Sequence, residues 1–244
     1  MRAPNTETGR TALICWASLI VLASRTQLAV GPHPRNKAAF AVAAEPAIPQ
    51  MMDPQAAPLL SASGLGMIRG ERVLFRNVSL TVHSGDALVL RGANGTGKTT
   101  LLRILAGLTR PEAGNVGRTD AHHWVGHREG LKPQETPREH LKLWAQAWGA
   151  DAATDSVLTR MGLSRPADVA GRYLSAGQRR RTALARLLLE HRPVWLLDEP
   201  YTALDAEGRA LVDALIAEHR SKGGAVIAAI HGEAGFAASG EFTL

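Results

Sequence analysis

The chain has 244 residues, of which 45% are apolar and 20% charged, and its formal net charge is +6. This length allows one large domain or two small ones, and the apolar content suits a soluble globular core. Half of the excess positive charge lies in residues 1–51, so the rest of the sequence is too mildly basic to predict a nucleic-acid partner. The single cysteine, Cys15, excludes an intramolecular disulfide and a metal site built from cysteines.

The N-terminal quarter of the chain differs from the rest. Residues 12–23 are an apolar run that follows two arginines, which is typical of an export signal but is short for a membrane span. Met51 and Met52 stand shortly before the regular pattern begins. We predict that residues 1–58 are an extension, disordered or added by a misassigned start of translation, with an organelle presequence as a third option. Residues 59–244 are then the folded domain.

Alternating apolar residues at the start of that domain predict a small antiparallel sheet. Residues 69–72 and 83–86 have turn composition and separate the predicted strands. The apolar positions that define the strands are Leu65, Met67, Val73, Phe75, Val78, Leu80 and Val82.

Residues 92–99, with the sequence GANGTGKT, fit the pattern of a phosphate-binding loop. An apolar run precedes them and a helically spaced apolar run follows, which predicts strand, loop and helix. Glycines allow successive N–H groups to point at a phosphate, Lys98 would reach the outer phosphates, and the Thr99 hydroxyl would help to hold magnesium. The predicted nucleotide-binding residues here are Gly92, Ala93, Asn94, Gly95, Thr96, Gly97, Lys98, Thr99 and Thr100.

The middle of the chain predicts a helical lobe at about residues 128–180. Glycines and a proline in residues 107–117 indicate a break in regular structure, and residues 122–127 read as a short strand. Thr136 begins a helix that extends to residue 148, with proline in its first turn, and a second helix is expected over residues 155–161.

Residues 174–178, LSAGQ, precede three arginines and a periodic apolar run. Ser175 is placed as a helix N-cap, and Gly177 leaves the backbone open to close approach. This helix end could bind phosphate, although an ordinary capped helix fits the same residues equally well.

Two apolar runs end in polar residues, as buried parallel strands do at a ligand site. Residues 194–197 are followed by Asp198 and Glu199, and residues 225–230 are followed by His231. Asp198 is placed to support magnesium, and Glu199 to orient an attacking water molecule.

In this order, the motifs resemble those of the ATP-binding subunits of ABC transporters over roughly residues 59–233. The resemblance implies an α/β P-loop NTPase cassette with a mixed β-sheet core, an antiparallel β subdomain and a helical subdomain. The matching segments are the Walker A motif at 92–99, the signature at 174–178 with Ala176 in place of its first glycine, Walker B at 194–199, the D-loop at 203–205 and the switch histidine at 231.

The resemblance also implies a mechanism that uses ATP and Mg²⁺. Two cassettes would pair head to tail as a homodimer, so that Ser175, Gly177 and Gln178 of one copy close over ATP held by the other. The implied catalytic residues are Glu199 as base, His231 at the γ-phosphate, and Lys98, while Thr99 and Asp198 hold the metal. The helical lobe would carry the motion to integral membrane subunits.

Two positions depart from the usual family pattern. His127 stands where the family usually has a glutamine that touches magnesium, and Ile68 and Arg69 stand where an aromatic ring usually stacks on adenine. Adenine stacking is therefore not predicted, although an arginine plane could substitute weakly.

Within the family, the chain most resembles the haem-exporter ATPases of bacterial cytochrome c maturation, which have histidine at the same place as His127. This implies a peripheral protein on the cytoplasmic face of the inner membrane that has no nucleic-acid partner and meets haem only indirectly. His122 and His123 alternate along the predicted strand, with His127 expected on the side of His123, and they are not expected to bind haem. Three alternatives remain open: an exporter ATPase for a lipid, peptide or drug, a soluble ABC ATPase, and a cassette that binds ATP without turnover.

Overall fold

The computed structural model describes residues 57–118, 121–150 and 153–244. Residues 1–56, which hold the export-like run and nearly all of the predicted extension, lie outside the described residues. The division of the chain into an extension and a domain therefore stays a prediction.

A three-stranded antiparallel sheet is formed by β1 (Leu60–Arg69), β2 (Arg72–Val82) and β4 (Ala113–Arg118), in the order β2-β1-β4. The predicted turn between the first two strands is confirmed, since Arg69 pairs with Arg72 across a two-residue connection. Every second side chain is buried at Leu60 and Ala62 of β1 and at Val78, Leu80 and Val82 of β2, and irregular pairing shifts the alternation elsewhere.

Strand β4 corrects the prediction that glycines break regular structure in residues 107–117. Gly114 lies within β4, and a Cβ atom on it would stand 2.4 Å from the main-chain oxygen of Ser63 on β1. The glycine is therefore needed for the close approach of two strands, at a backbone φ of +82° that a side chain would disfavour.

The second sheet has five strands, and all of its neighbouring strands are parallel. It contains β3 (Ala87–Arg91), β5 (His122–Val125), β6 (Val194–Asp198), β7 (Ala225–Ala229) and β8 (Gly240–Thr243), in the order β5-β6-β7-β3-β8. The first four strands were predicted. The short edge strand β8 was missed because none of its residues is fully buried and it has no apolar run.

The helices are α1 (Lys98–Leu105), α2 (Pro137–Trp148), α3 (Thr154–Arg160), α4 (Ala176–Ala185) and α5 (Ala206–Ser221), with 3₁₀ turns at Gly171–Tyr173 and Arg186–Leu188. The predicted start of α2 is confirmed. Thr136 accepts a hydrogen bond from the Glu139 N–H, and the Glu139 carboxylate accepts one from the Thr136 N–H. Helix α3 begins and ends one residue earlier than predicted.

The parallel sheet is buried on both faces. On β6, Val194 and Leu196 pack with helix α1 and the antiparallel sheet, whereas Trp195 and Leu197 pack with helices on the other side. The predicted α/β fold with an antiparallel subdomain is confirmed, with the antiparallel and parallel strands in two separate sheets. Among the described helices, none combines the length and the apolarity that a membrane crossing requires.

Candidate functional site

The phosphate-binding loop joins the end of β3 to the start of α1. Gly97 is the N-cap residue of α1 with a φ of 111°, and it offers no side chain to bond the free N–H groups of the first turn. A Cβ atom on Gly97 would stand 3.0 Å from the Phe75 ring, so the position leaves no room for a larger residue. The helix end is therefore left open toward an anion.

Lys98, the first residue of α1, is 6% exposed. Its Nζ donates hydrogen bonds to the main-chain oxygens of Gly92 (2.7 Å) and Ala93 (2.9 Å). These bonds hold the ammonium group inside the curve of the loop. A phosphate oxygen that enters the loop would take the place of these neutral carbonyl oxygens. Because it is charged, it would accept a stronger hydrogen bond from Lys98.

Thr99 and Asp198 bring the loop and strand β6 together. The Thr99 hydroxyl donates to the Asp198 carboxylate, with oxygen distances of 2.9 and 3.1 Å. Burial raises the pKa of Asp198, and the hydrogen bond from Thr99 opposes that shift.

These two side chains fit magnesium. The Thr99 proton points to Asp198, which leaves the lone pairs of the hydroxyl oxygen free, and both groups offer the hard oxygen atoms that Mg²⁺ prefers. In the described ranges, no group of three or more histidine, cysteine or acidic side chains could hold a metal ion.

Glu199 follows β6 directly and is bracketed by two histidines. The distances are 3.2 Å from His127 Nδ1 to Glu199 Oε2 and 3.3 Å from His231 Nε2 to Glu199 Oε1. Thr202 also donates its hydroxyl to Oε2, at 3.1 Å. The carboxylate of Glu199 thus has a defined direction, and His127, singled out in the sequence only as a departure from the family, is one of its contacts.

A cleft of about 370 Å³ collects most of these residues. Part of the loop, Glu199 and His231 face this common space, and none of the described residues that line it is a phenylalanine, tyrosine or tryptophan. The lining residues are Arg69, Arg72, Leu74, Asn94, Gly95, Gly97, Lys98, Thr99, Thr100, Glu199 and His231.

The predicted signature residues lie elsewhere, at the start of α4, and do not line this cleft. The Ser175 N-cap is confirmed: its hydroxyl accepts from the Gln178 N–H at 3.1 Å, and Gln178 Oε1 accepts from the Ser175 N–H at 2.9 Å. A Cβ atom on Gly177 would stand 3.0 Å from the Ala203 main-chain oxygen, so this helix packs closely on the loop after Glu199.

Sequence reasoning missed Arg180, which it did not distinguish from the arginines on either side. Arg180 is 1% exposed, and its guanidinium reaches the main chain around Glu199. A signal was available, because Arg180 precedes the buried Ala183 and Leu184 by three and four residues and so shares their face of the helix.

The histidines of strand β5 do not join the site. His122 and His123 face opposite sides, as predicted, and the His123 Nε2 lies 2.8 Å from the main-chain oxygen of Glu190. Burial lowers the pKa of His123 to about 3 and, with help from nearby arginines, that of His122 to about 4. The expectation that His127 shares a strand face with His123 was wrong, because β5 ends at Val125.

Comparison with known proteins agrees with this arrangement. The family model described as "ABC transporter" matches residues 75–202. The chain is 66% identical over 188 residues to the "Cytochrome c biogenesis ATP-binding export protein CcmA" of Hyphomonas neptunium, and the match covers 77% of this chain and 97% of that relative. A relative with the same name from Maricaulis maris is 46% identical, with 70% of this chain and 85% of the relative covered.

A solved structure described as "Structure of ATP binding subunit of ABC transporter" superposes with a TM-score of 0.63. It is 21% identical, and the match covers 70% of this chain and 79% of that one. At this identity the likeness supports the fold.

Proposed function

Since this chain belongs to the ABC transporter family, and is an ATPase subunit of that family, we propose that it energises a membrane export complex that serves cytochrome c biogenesis. The observation that carries the chemistry is the position of Glu199 between His127 and His231, at the cleft that Lys98 lines. The pathway is supported by the names of the relatives described above.

In this proposal ATP binds with its phosphates in the curve of residues 92–99. The free N–H groups at the start of α1 and the ammonium group of Lys98 bind the phosphate oxygens. Lys98 is already held in the loop by two carbonyl bonds, so little side-chain freedom is lost when it exchanges them for phosphate.

Thr99 and Asp198 would hold Mg²⁺, the first directly and the second directly or through water. The ion, when bound, neutralises part of the charge on the phosphates. The protein's own contribution is to fix the Thr99 oxygen by its hydrogen bond to Asp198, so that the hydroxyl is oriented before nucleotide arrives.

Glu199 would orient the attacking water and accept its proton. A carboxylate suits this task only if it points at the cleft, and the hydrogen bond from Thr202 and the close contacts with the two histidines support that direction. His231 would donate to the terminal phosphate, where charge develops during transfer.

A second copy of the chain would complete the site. Ser175, Gly177 and Gln178 lie outside the cleft of their own chain, which supports a role over the nucleotide of a partner cassette in a homodimer. The membrane subunits of the complex would bind this cassette at the cytoplasmic face of the inner membrane. Haem would then meet the membrane subunits and not this chain.

The test purifies a C-terminally tagged chain from membranes and measures two quantities for Lys98→Ala: ATP turnover and covalent haem on c-type cytochromes in the same cells. We expect both to fall to background, because the phosphate loses its charged contact. Lys222→Ala, an exposed lysine that pairs with Glu218, is the matched control and should retain both.

Each result decides a different part of the proposal. Loss of turnover with normal holocytochrome c would overturn the pathway and leave an ABC ATPase with another cargo. Purification without any membrane subunit would favour a soluble ABC ATPase, and turnover that survives Lys98→Ala would overturn the assignment of the cleft.

A further inference from the structure

Arg180 is a fully buried cation on the second turn of helix α4. A charged side chain that leaves water is stable only when its donors are satisfied, and most such groups pair with a carboxylate. The hydrogen bonds that the structure gives to Arg180 go instead to main-chain carbonyl oxygens. A guanidinium suits this task because its five N–H donors lie in one plane and point in fixed directions.

The carbonyls that Arg180 binds belong to two segments of the site. Nη2 donates to Asp198 O at 2.8 Å and to Glu199 O at 2.7 Å, and Nε donates to Pro200 O at 3.3 Å. Nη1 donates to Gly126 O at 2.8 Å, one residue before His127. One side chain therefore connects the end of strand β6 to the segment that follows strand β5.

The backbone at Glu199 requires such support. Its φ is 53°, in the left-handed region that residues other than glycine rarely occupy, and such conformations persist where the surroundings enforce them. The Glu199 N–H donates to Ala229 O at 2.9 Å, and its carbonyl accepts from Arg180. The peptide groups on both sides of the Glu199 Cα atom are thus fixed, and with them the direction of the Cα–Cβ bond from which the side chain extends.

We infer that Arg180 is a positioning residue for ATP hydrolysis, which fixes the Glu199 carboxylate and its His127 contact relative to helix α4. Arg180 does not line the cleft, so it acts through Glu199 and His127 and not on nucleotide. The inference rests on the proposed function, because that proposal gives Glu199 its role in hydrolysis. Helix α4 also carries the Ser175 cap, so the same helix presents the signature residues and supports the catalytic carboxylate.

The test measures kcat for ATP hydrolysis and the Kd of a fluorescent ATP analogue for Arg180→Met and Arg180→Lys. Misplacement of a catalytic group by about 1 Å costs about 100-fold in rate, so we expect kcat to fall roughly 30- to 100-fold in Arg180→Met. The Kd should change less than about threefold, because the phosphate loop is untouched. Arg180→Lys keeps the charge but has fewer directed donors, so its kcat should lie between that of wild type and that of Arg180→Met.

Arg181→Met is the matched control on the same helix. Its guanidinium donates to Met161 O, at 3.5 Å, on the side of the helical lobe, and we expect kcat within about threefold of wild type. A double-mutant cycle with Glu199→Gln, measured as single-turnover rates of ATP hydrolysis, adds a readout that a purely structural role would not change. If Arg180 acts through Glu199, Arg180→Met should cause little further loss once Glu199→Gln is present.

A kcat within about threefold of wild type in both Arg180 variants overturns the inference, as does a Kd that rises in parallel with the loss of kcat. If Arg180→Met fails to fold, the kcat and Kd of Arg180→Lys provide the test instead. If Glu199→Gln itself leaves turnover intact, the proposed role of Glu199 fails and the inference fails with it. If Glu199→Gln abolishes turnover while the Arg180 variants remain active, only the inference fails.

Discussion

Helices α1 and α4 were both predicted to present an N-terminus to phosphate, and the structure builds these two ends differently. At α1 the cap is Gly97, which has no side chain to bond the free N–H groups. At α4 the serine and glutamine of a capping box already satisfy two donors of the helix start. The first end is open to an anion, whereas the second is satisfied within its own chain.

This difference separates two tasks. The α1 end has the positive pole of a helix, a buried lysine and uncapped donors around one cleft, so a single chain can bind phosphate there. The α4 end offers a surface hydroxyl and a glycine outside that cleft. We therefore expect changes at α1 to reduce nucleotide binding by one chain and changes at α4 to reduce turnover alone.

The largest effect is expected for Gly97→Ala. The new Cβ atom would crowd the Phe75 ring at 3.0 Å in a backbone conformation that alanine disfavours, so the loop must shift. We expect the Kd for ATP, measured with a fluorescent analogue, to rise at least about 100-fold as the aligned N–H groups are lost. Gly85→Ala is the control, since Gly85 also has a positive φ but has open space around it, in the turn between β2 and β3. If Gly97→Ala and Gly85→Ala bound ATP with equal affinity, the proposal that the α1 end binds phosphate within a single chain would be wrong.

Thr99→Ala should have the next largest effect, and it should depend on magnesium. The variant loses the hydroxyl that Asp198 orients, so we expect turnover to fall roughly 10- to 100-fold. The ratio of ATP affinities measured with Mg²⁺ and with EDTA should move toward one, whereas Thr99→Ser should keep the wild-type ratio. A Thr99→Ala variant with a wild-type ratio would argue against metal binding by this hydroxyl.

Ser175→Ala tests the opposite helix end. Without the hydroxyl, α4 loses its N-cap, which costs about 1 kcal/mol of unfolding free energy. We expect turnover to fall about tenfold while the Kd for ATP stays unchanged, since the proposed contact is made to a partner's nucleotide. Ser156→Ala, in the first turn of α3, is the control for loss of a serine near a helix start. If Ser175→Ala lost ATP affinity along with turnover, the proposal that the α4 end affects turnover without affecting ATP binding by its own chain would be wrong.

The smallest effect is expected for Gln178→Ala. Its side chain accepts a hydrogen bond from the exposed N–H of Ser175, which water can replace. We expect the unfolding free energy from urea denaturation to fall by about 0.5 kcal/mol, with a smaller loss of turnover than in Ser175→Ala. A loss of turnover as large as that of Ser175→Ala would mean that Gln178 contributes to closure over the partner's nucleotide as much as the Ser175 hydroxyl does.

Much of the site could be predicted because its residues are neighbours in sequence. The run of residues 92–99 has a fixed spacing of glycines and lysine, and Asp198 and Glu199 follow an unbroken apolar strand. Such local patterns depend on backbone conformation and strand burial, which nearby residues dictate. The caps at Thr136 and Ser175 were predictable for the same reason.

Contacts between distant segments could not be predicted in this way. Strand β4 was read as irregular because its glycines serve a close approach to β1, and β8 carries no apolar pattern of its own. The role of His127 beside Glu199 depends on where β5 and β6 end next to each other in the parallel sheet.

The sequence by itself determined the fold class, the phosphate-binding loop and the identity of the carboxylates, since each follows from short-range pattern. Only the tertiary structure decided that Glu199 lies between two histidines, that the signature residues stand outside their own cleft, and that Arg180 is buried against four carbonyl groups. The physical reason is that a charged side chain is predicted from sequence to be exposed, because its burial becomes evident only when the sheet and helix that enclose it are known. Its hydrogen-bond partners are then set by packing between segments far apart in the chain.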